Sequence, residues 1–193
     1  MQLKFIHIPK AGGSSIWDMF EPNILRPEMP YKIERFGWHQ IYDQLIENPN
    51  IITFTISRNP YDRCVSAYYY LKSGGVGNED VADGEKWCHF DTFEEFCLNE
   101  KGLKDASKNQ LHFLPQVTFL PHGVDMIGSI EKLDLFLDKL CIISGIERPE
   151  TLYSNPSSHK DWKSYYTNPK AIEIVKEIYK KDFIKFNYNL DVK

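Results

Sequence analysis

The sequence predicts an α/β protein: a central, mostly parallel sheet flanked by helices in three layers. Two stretches carry that expectation. Leu3-Lys4-Phe5-Ile6-His7-Ile8 is a short β-rich apolar run that leads into a glycine turn and then a helical segment. Asn50-Ile51-Ile52-Thr53-Phe54-Thr55-Ile56 is the strongest strand signal in the chain, with the near-continuous apolar character of a central parallel strand. At 193 residues and 42% hydrophobic content, the chain is long enough for one domain over 1–193 with a full core.

The turn after the first strand is Pro9-Lys10-Ala11-Gly12-Gly13-Ser14-Ser15. Ile16 to Phe20 reads as the helix that follows, with Ser14 or Ser15 as its cap. Strand, glycine turn and helix bring backbone N–H groups and a helix dipole to one anion. Lys10 adds a full charge. The stretch is P-loop-like, but the Walker pattern puts its lysine after the last glycine, and here the lysine comes first.

Residues 21–31 read as a loop broken by three prolines, and residues 32–36 as a short strand. Gly37-Trp38-His39 follows, then a helix over 41–47. The central strand at 50–56 runs into Ser57-Arg58-Asn59-Pro60-Tyr61-Asp62-Arg63, where Pro60 and Asp62 suit a helix start. Arg58 therefore stands at the C-terminal end of a central strand, where open α/β sheets place ligands. Ser66, eight residues on, lies about two turns into the next helix. The glycine-rich, acidic stretch 73–85 reads as a flexible loop. Thr92 starts a helix that ends near Gly102, with Phe93, Phe96 and Cys97 on one face. Gln110 and Gln116 are candidate contacts for a hydroxylated substrate. Residues 125–130 read as a strand, 131–144 as an amphipathic helix ending at Gly145, and 153–160 as a polar loop. A last helix, 169–180, carries Ile172, Val175 and Tyr179 on one face.

Composition narrows the function. With 23 basic against 27 acidic residues, the net charge of −4 argues against a nucleic-acid binder. No apolar run is long enough to cross a bilayer. Met1-Gln2 leads directly into the first strand, leaving no room for a signal peptide. Cys64, Cys88, Cys97 and Cys141 are scattered without a C-x-x-C pair, which argues for reduced structural thiols over a zinc site. The expected location is cytoplasmic.

Residues 5–15 resemble the 5′-phosphosulfate loop of sulfotransferases that use 3′-phosphoadenosine 5′-phosphosulfate (PAPS), and residues 56–69 resemble their 3′-phosphate element. The likeness is nearest to the carbohydrate sulfotransferases of the heparan sulfate 2-O type. The resemblance implies that Lys10, Ala11, Gly12, Gly13, Ser14 and Ser15 hold the 5′ end of the donor and that Lys10 stabilises the transferring group. It implies that Arg58 and Ser66 grip the 3′-phosphate, and that His39, after Gly37 and Trp38, is the catalytic base. Ser158 and Lys160 match a late Ser-His segment that contacts the nucleotide. Residues 179–188 resemble the family's C-terminal helix ending. His7 is the nearest rival base, but the first strand is expected to bury it.

Two departures stand out. Ala11 occupies a position where the family usually has Thr, and the family's membrane anchor is missing. The resemblance implies a nucleotide sulfuryl donor, a hydroxylated carbohydrate acceptor and no metal. A P-loop-type kinase or other phosphotransferase is the competing enzyme class, separable by magnesium dependence. A non-catalytic nucleotide- or glycan-binding protein is the third reading, and a product assay separates it.

Overall fold

A computed structural model describes residues 2–24, 33–35, 48–154 and 158–192. Gly37, Trp38, His39 and the helix expected over 41–47 lie outside the described residues. In chain order the elements are β1 (Gln2–Ile6), α1 (Gly13–Ile24), β2 (Ile33–Arg35), β3 (Ile51–Ser57), α2 (Pro60–Lys72), α3 (Asn78–Trp87), α4 (Phe93–Leu98), α5 (Leu103–Asn109), β4 (Met126–Ser129), α6 (Leu133–Ser144), α7 (Pro169–Ile178) and α8 (Lys180–Lys185). The strands form one sheet in the order β2-β1-β3-β4, and every described pair is parallel. The chain is thus α/β, with a parallel sheet flanked by helices.

Two compact units make up the chain: Met1–Arg58 with Thr118–Pro156, and Asn59–Val117 with Ser157–Lys193. The first unit holds the sheet. Phe5 pairs in register with Phe54, their rings 5.1 Å apart, and Phe54 meets Phe136 of α6 at 6.0 Å. Ile16, Met19 and Phe20 of α1 and Leu133, Leu137 and Leu140 of α6 complete this core. Each such side chain contributes about 1.5–3 kcal/mol when fully buried. Thr53 donates its N–H and its hydroxyl to the Asp125 carboxylate, both at 2.7 Å, which anchors the start of β4 beside β3. Because β1, β3 and β4 run parallel, the turns that leave them open on one edge of the sheet.

The second unit is helical. Tyr61, Tyr68, Phe93, Phe96, Phe113, Tyr166 and Phe183 form its aromatic core. Asn59 caps α2 by accepting the Tyr61 N–H at 3.0 Å, with Pro60 in the first turn and Asp62 behind it. Thr92 and Glu95 form a reciprocal capping box on α4. Asp182, fully buried, accepts the N–H groups of Gln116 and Val117 at 2.8 and 2.9 Å. Asn187, at φ 56°, closes α8: Tyr188 N–H reaches back to the Phe183 carbonyl at 3.0 Å.

Three expectations need correction. Helix α1 continues through Pro22 to Ile24 instead of giving way to a loop at 21. Proline there gives up one backbone hydrogen bond, to the carbonyl four residues earlier, which is why the sequence alone points to a loop. The stretch 73–85 is not a flexible loop, since α3 begins at Asn78. Its Gly84 packs so closely that a Cβ would lie 2.2 Å from the Leu71 carbonyl oxygen. Helix α4 ends at Leu98, short of Gly102, whose own Cβ would collide with the Phe96 carbonyl at 2.0 Å.

Candidate functional site

The turn between β1 and α1 is built from two left-handed residues, Lys10 at φ 63° and Gly12 at φ 88°. A side chain in that region costs about 1–2 kcal/mol, so Lys10 is held there against its preference. Ala11, 1% exposed, donates its N–H to the Ile8 carbonyl at 3.3 Å and tightens the turn. Gly12 offers its carbonyl to Ile16 N–H at 3.2 Å, which makes Gly12 the cap of α1. The serines therefore lie inside the first turn and are not the cap. The N–H groups of Gly13, Ser14 and Ser15 fall in that turn, where a helix has no acceptor for them. Among the described residues no hydrogen bond engages these three. They form a cradle of donors at the positive end of a twelve-residue helix.

Gly12 is favoured by its left-handed φ, and both glycines pack closely against neighbouring side chains. A Cβ on Gly13 would lie 2.0 Å from the His7 ring, and one on Gly12 would lie 2.5 Å from Ile130 Cδ1. His7 is 6% exposed and stacks on Phe5 at 5.8 Å. It is a buried support beneath the turn, in line with the sequence reading. Ile130, just past β4, supports the turn from another strand end.

Arg58 follows β3 directly, and its Nη1 donates to the Lys10 carbonyl at 3.2 Å. Lys10 and Arg58 are both half-buried. One bond thus joins the turn after β1 to the residue after β3, with two cationic side chains at one sheet edge. Ser15, 2% exposed, accepts the N–H of Ser154 at 2.9 Å. The contributions of His7, Ile130 and Ser154 escape a sequence reading. The first two act through shape, and the third through a backbone amide that any residue would have.

The first unit therefore brings together Lys10, Ala11, Gly12, Gly13, Ser14, Ser15 and Arg58. Ser66, Ser158 and Lys160 belong to the second. Ser66 lies on α2 and is fully buried, while Ser158 and Lys160 are exposed. His159 donates from Nδ1 to the Lys160 carbonyl at 2.7 Å, and Lys160 N–H reaches the Tyr165 hydroxyl at 3.1 Å. Tyr69 stands beside both rings, 5.0 Å from Tyr165 and 6.2 Å from His159. Burial, with the hydrogen bond from Tyr165, pushes the Tyr69 phenol up to about 12. His39 lies outside the described residues. Of the two glutamines, Gln110 is 3% exposed and Gln116 is fully buried. Gln110 Nε2 bridges Asp83 at 3.0 Å and His112 Nδ1 at 3.1 Å, so its amide satisfies the protein's own polar groups.

All four cysteines are free and buried. Among the described residues, no helix is long and apolar enough to cross a membrane. The family model described as "Sulfotransferase family" matches residues 2–189, through both units. No curated protein and no solved structure matches the chain.

Proposed function

The chain belongs to the sulfotransferase family, and on that premise we propose that it moves a sulfuryl group from PAPS to a hydroxyl of a carbohydrate. The observation that carries this reading is the Arg58–Lys10 bond, which joins both nucleotide motifs at one sheet edge. The N–H groups of Gly13, Ser14 and Ser15, with the hydroxyls of Ser14 and Ser15, hold the 5′-phosphate. Ala11 contributes only its backbone there. Lys10 neutralises charge that builds on the leaving phosphate as its bond to sulfur breaks. Arg58 grips the 3′-phosphate, and Ser66, Ser158 and Lys160 join the nucleotide site on the strength of their motifs. His39 takes the acceptor's proton as the new oxygen–sulfur bond forms, a role that rests on its place between the two motifs.

The donor set is an ammonium, a guanidinium, hydroxyls and amides. A transferring sulfuryl group carries less negative charge than a phosphoryl group, so this set serves without a metal. A carbohydrate acceptor follows from the resemblance to the heparan sulfate 2-O type. The two units act as one sulfotransferase domain in this reading, supported by a family match that runs through both. A cytoplasmic site of action is supported by the four free, buried thiols.

The test is incubation with PAPS and a panel of sugars in the presence of a chelator. Sulfated sugar and 3′,5′-adenosine bisphosphate (PAP) appear in equal amounts if the reading holds. Transfer from ATP that requires magnesium would replace it with a phosphotransferase.

A further inference from the structure

The segment that follows α6 is fastened at several points before it reaches α1. Ile146, 4% exposed, is sunk in the core of the first unit. Arg148 then commits every nitrogen of its guanidinium. Nε donates to Asp138 at 2.8 Å, Nη2 to Asp134 at 2.7 Å, and Nη1 to the Thr151 hydroxyl at 3.0 Å and to the Pro149 carbonyl. The Thr151 hydroxyl in turn donates to Asp134. Both carboxylates stand on α6, so residues 146–151 are strapped along that helix. The strap ends where Ser154 N–H meets Ser15 Oγ at 2.9 Å.

We propose that this strap is a positioning device for the anion cradle: Arg148 holds Ser154 in place, and Ser154 orients the Ser15 hydroxyl toward the donor's phosphate. This rests on the donor-binding reading above. A serine hydroxyl has one proton to give and two lone pairs to offer. In a helix its default is to turn the proton back onto the carbonyl three or four residues earlier. For Ser15 those are Gly12 and Ala11, and a proton spent there is lost to an anion. The Ser154 N–H occupies a lone pair of Oγ and fixes the rotamer, leaving the proton for a ligand. Among the described residues no acceptor takes that proton. A floppy segment would have to be ordered at each binding event, and the Arg148 fork orders it in advance. Arg148 is thus a positioning residue, not a catalytic one.

The experiment is calorimetric titration with PAP of the wild type, Arg148→Ala, Ser15→Ala and the double variant, with thermal melts and the KM for PAPS alongside. Each single variant is expected to weaken PAP about 3- to 10-fold, the range for one hydrogen bond. The double variant should be no weaker than the worse single one, because both remove the same oriented hydroxyl. KM for PAPS should rise by more than kcat falls, and Arg148→Lys, able to keep one ion pair, should fall between. Additive losses, or an Arg148→Ala protein that melts lower but binds PAP normally, would overturn the proposal. Asp138→Asn, which loosens one arm, gives the same comparison where Arg148→Ala does not fold. Failure of the wild type to bind PAP would overturn the donor reading itself.

Discussion

Lys10 sets a charge against a backbone conformation. Its ammonium serves the proposed chemistry, while its φ of 63° would suit glycine better. The two properties separate by substitution. Lys10→Ala and Lys10→Gly should both lower turnover by roughly 10²-fold, as for loss of a preorganised charge. Yet Lys10→Gly should be about 1–2 kcal/mol more stable than Lys10→Ala in denaturant melts, because only alanine keeps the left-handed strain. Equal stability of the two would mean the turn relaxes when the lysine is removed. Arg58→Ala should cost about 1.5–3 kcal/mol of PAP binding, the range for hydrogen bonds to charged groups. Adenosine 5′-monophosphate, lacking the 3′ group, should lose much less, and equal weakening would remove Arg58 from the 3′-phosphate. Lys10, the glycines and Arg58 could be read from the sequence because their chemistry resides in residue type. The packing of His7 under Gly13 could not, since it depends on a distance.

At the scale of elements, α2 and α6 were legible and α3 was not. Asn59, Pro60 and Asp62 announce the start of α2, and Gly145, at φ 73°, ends α6. Helix α3 buries only Gly84 and Trp87, so it has no apolar stripe to read. Part of its hold comes from Asp80, which accepts the Tyr70 hydroxyl at 2.6 Å and the Val76 N–H at 3.0 Å. Burial acts to raise the Asp80 carboxyl, but the bonds from Tyr70 and Val76 outweigh it and hold the group below its ordinary 3.8. A carboxyl lowered on folding stabilises above its unfolded pKa, and the contribution is lost as pH falls through the folded value. Amide protection of α3 should therefore hold level from neutrality down to 3.8 and decline only below it. Asp80→Asn should lower that protection already at neutral pH. A decline that begins well above the ordinary carboxylate value would assign the anchor to another group.

For the whole molecule, the parallel sheet was readable because β1 and β3 are apolar runs that each lead through a turn into a helix. The division into two units was not. The chain passes from one unit to the other at Arg58–Asn59, Val117–Thr118 and Pro156–Ser157, and the first two of these crossings show no shift in composition and no Gly- or Ser-rich linker. The sheet order places the ends of β1 and β3 side by side, and there the cradle and Arg58 meet. Everything proposed for the protein depends on a nucleotide with phosphates at both its 5′ and 3′ positions binding at that edge. Calorimetric titration of the wild type with PAP in a chelator, beside titration with magnesium ATP, tests this without knowledge of the acceptor. The expected result is one PAP per chain bound without metal, more tightly than either adenosine 5′-monophosphate or magnesium ATP. No heat with PAP, or binding of magnesium ATP in its place, would contradict it.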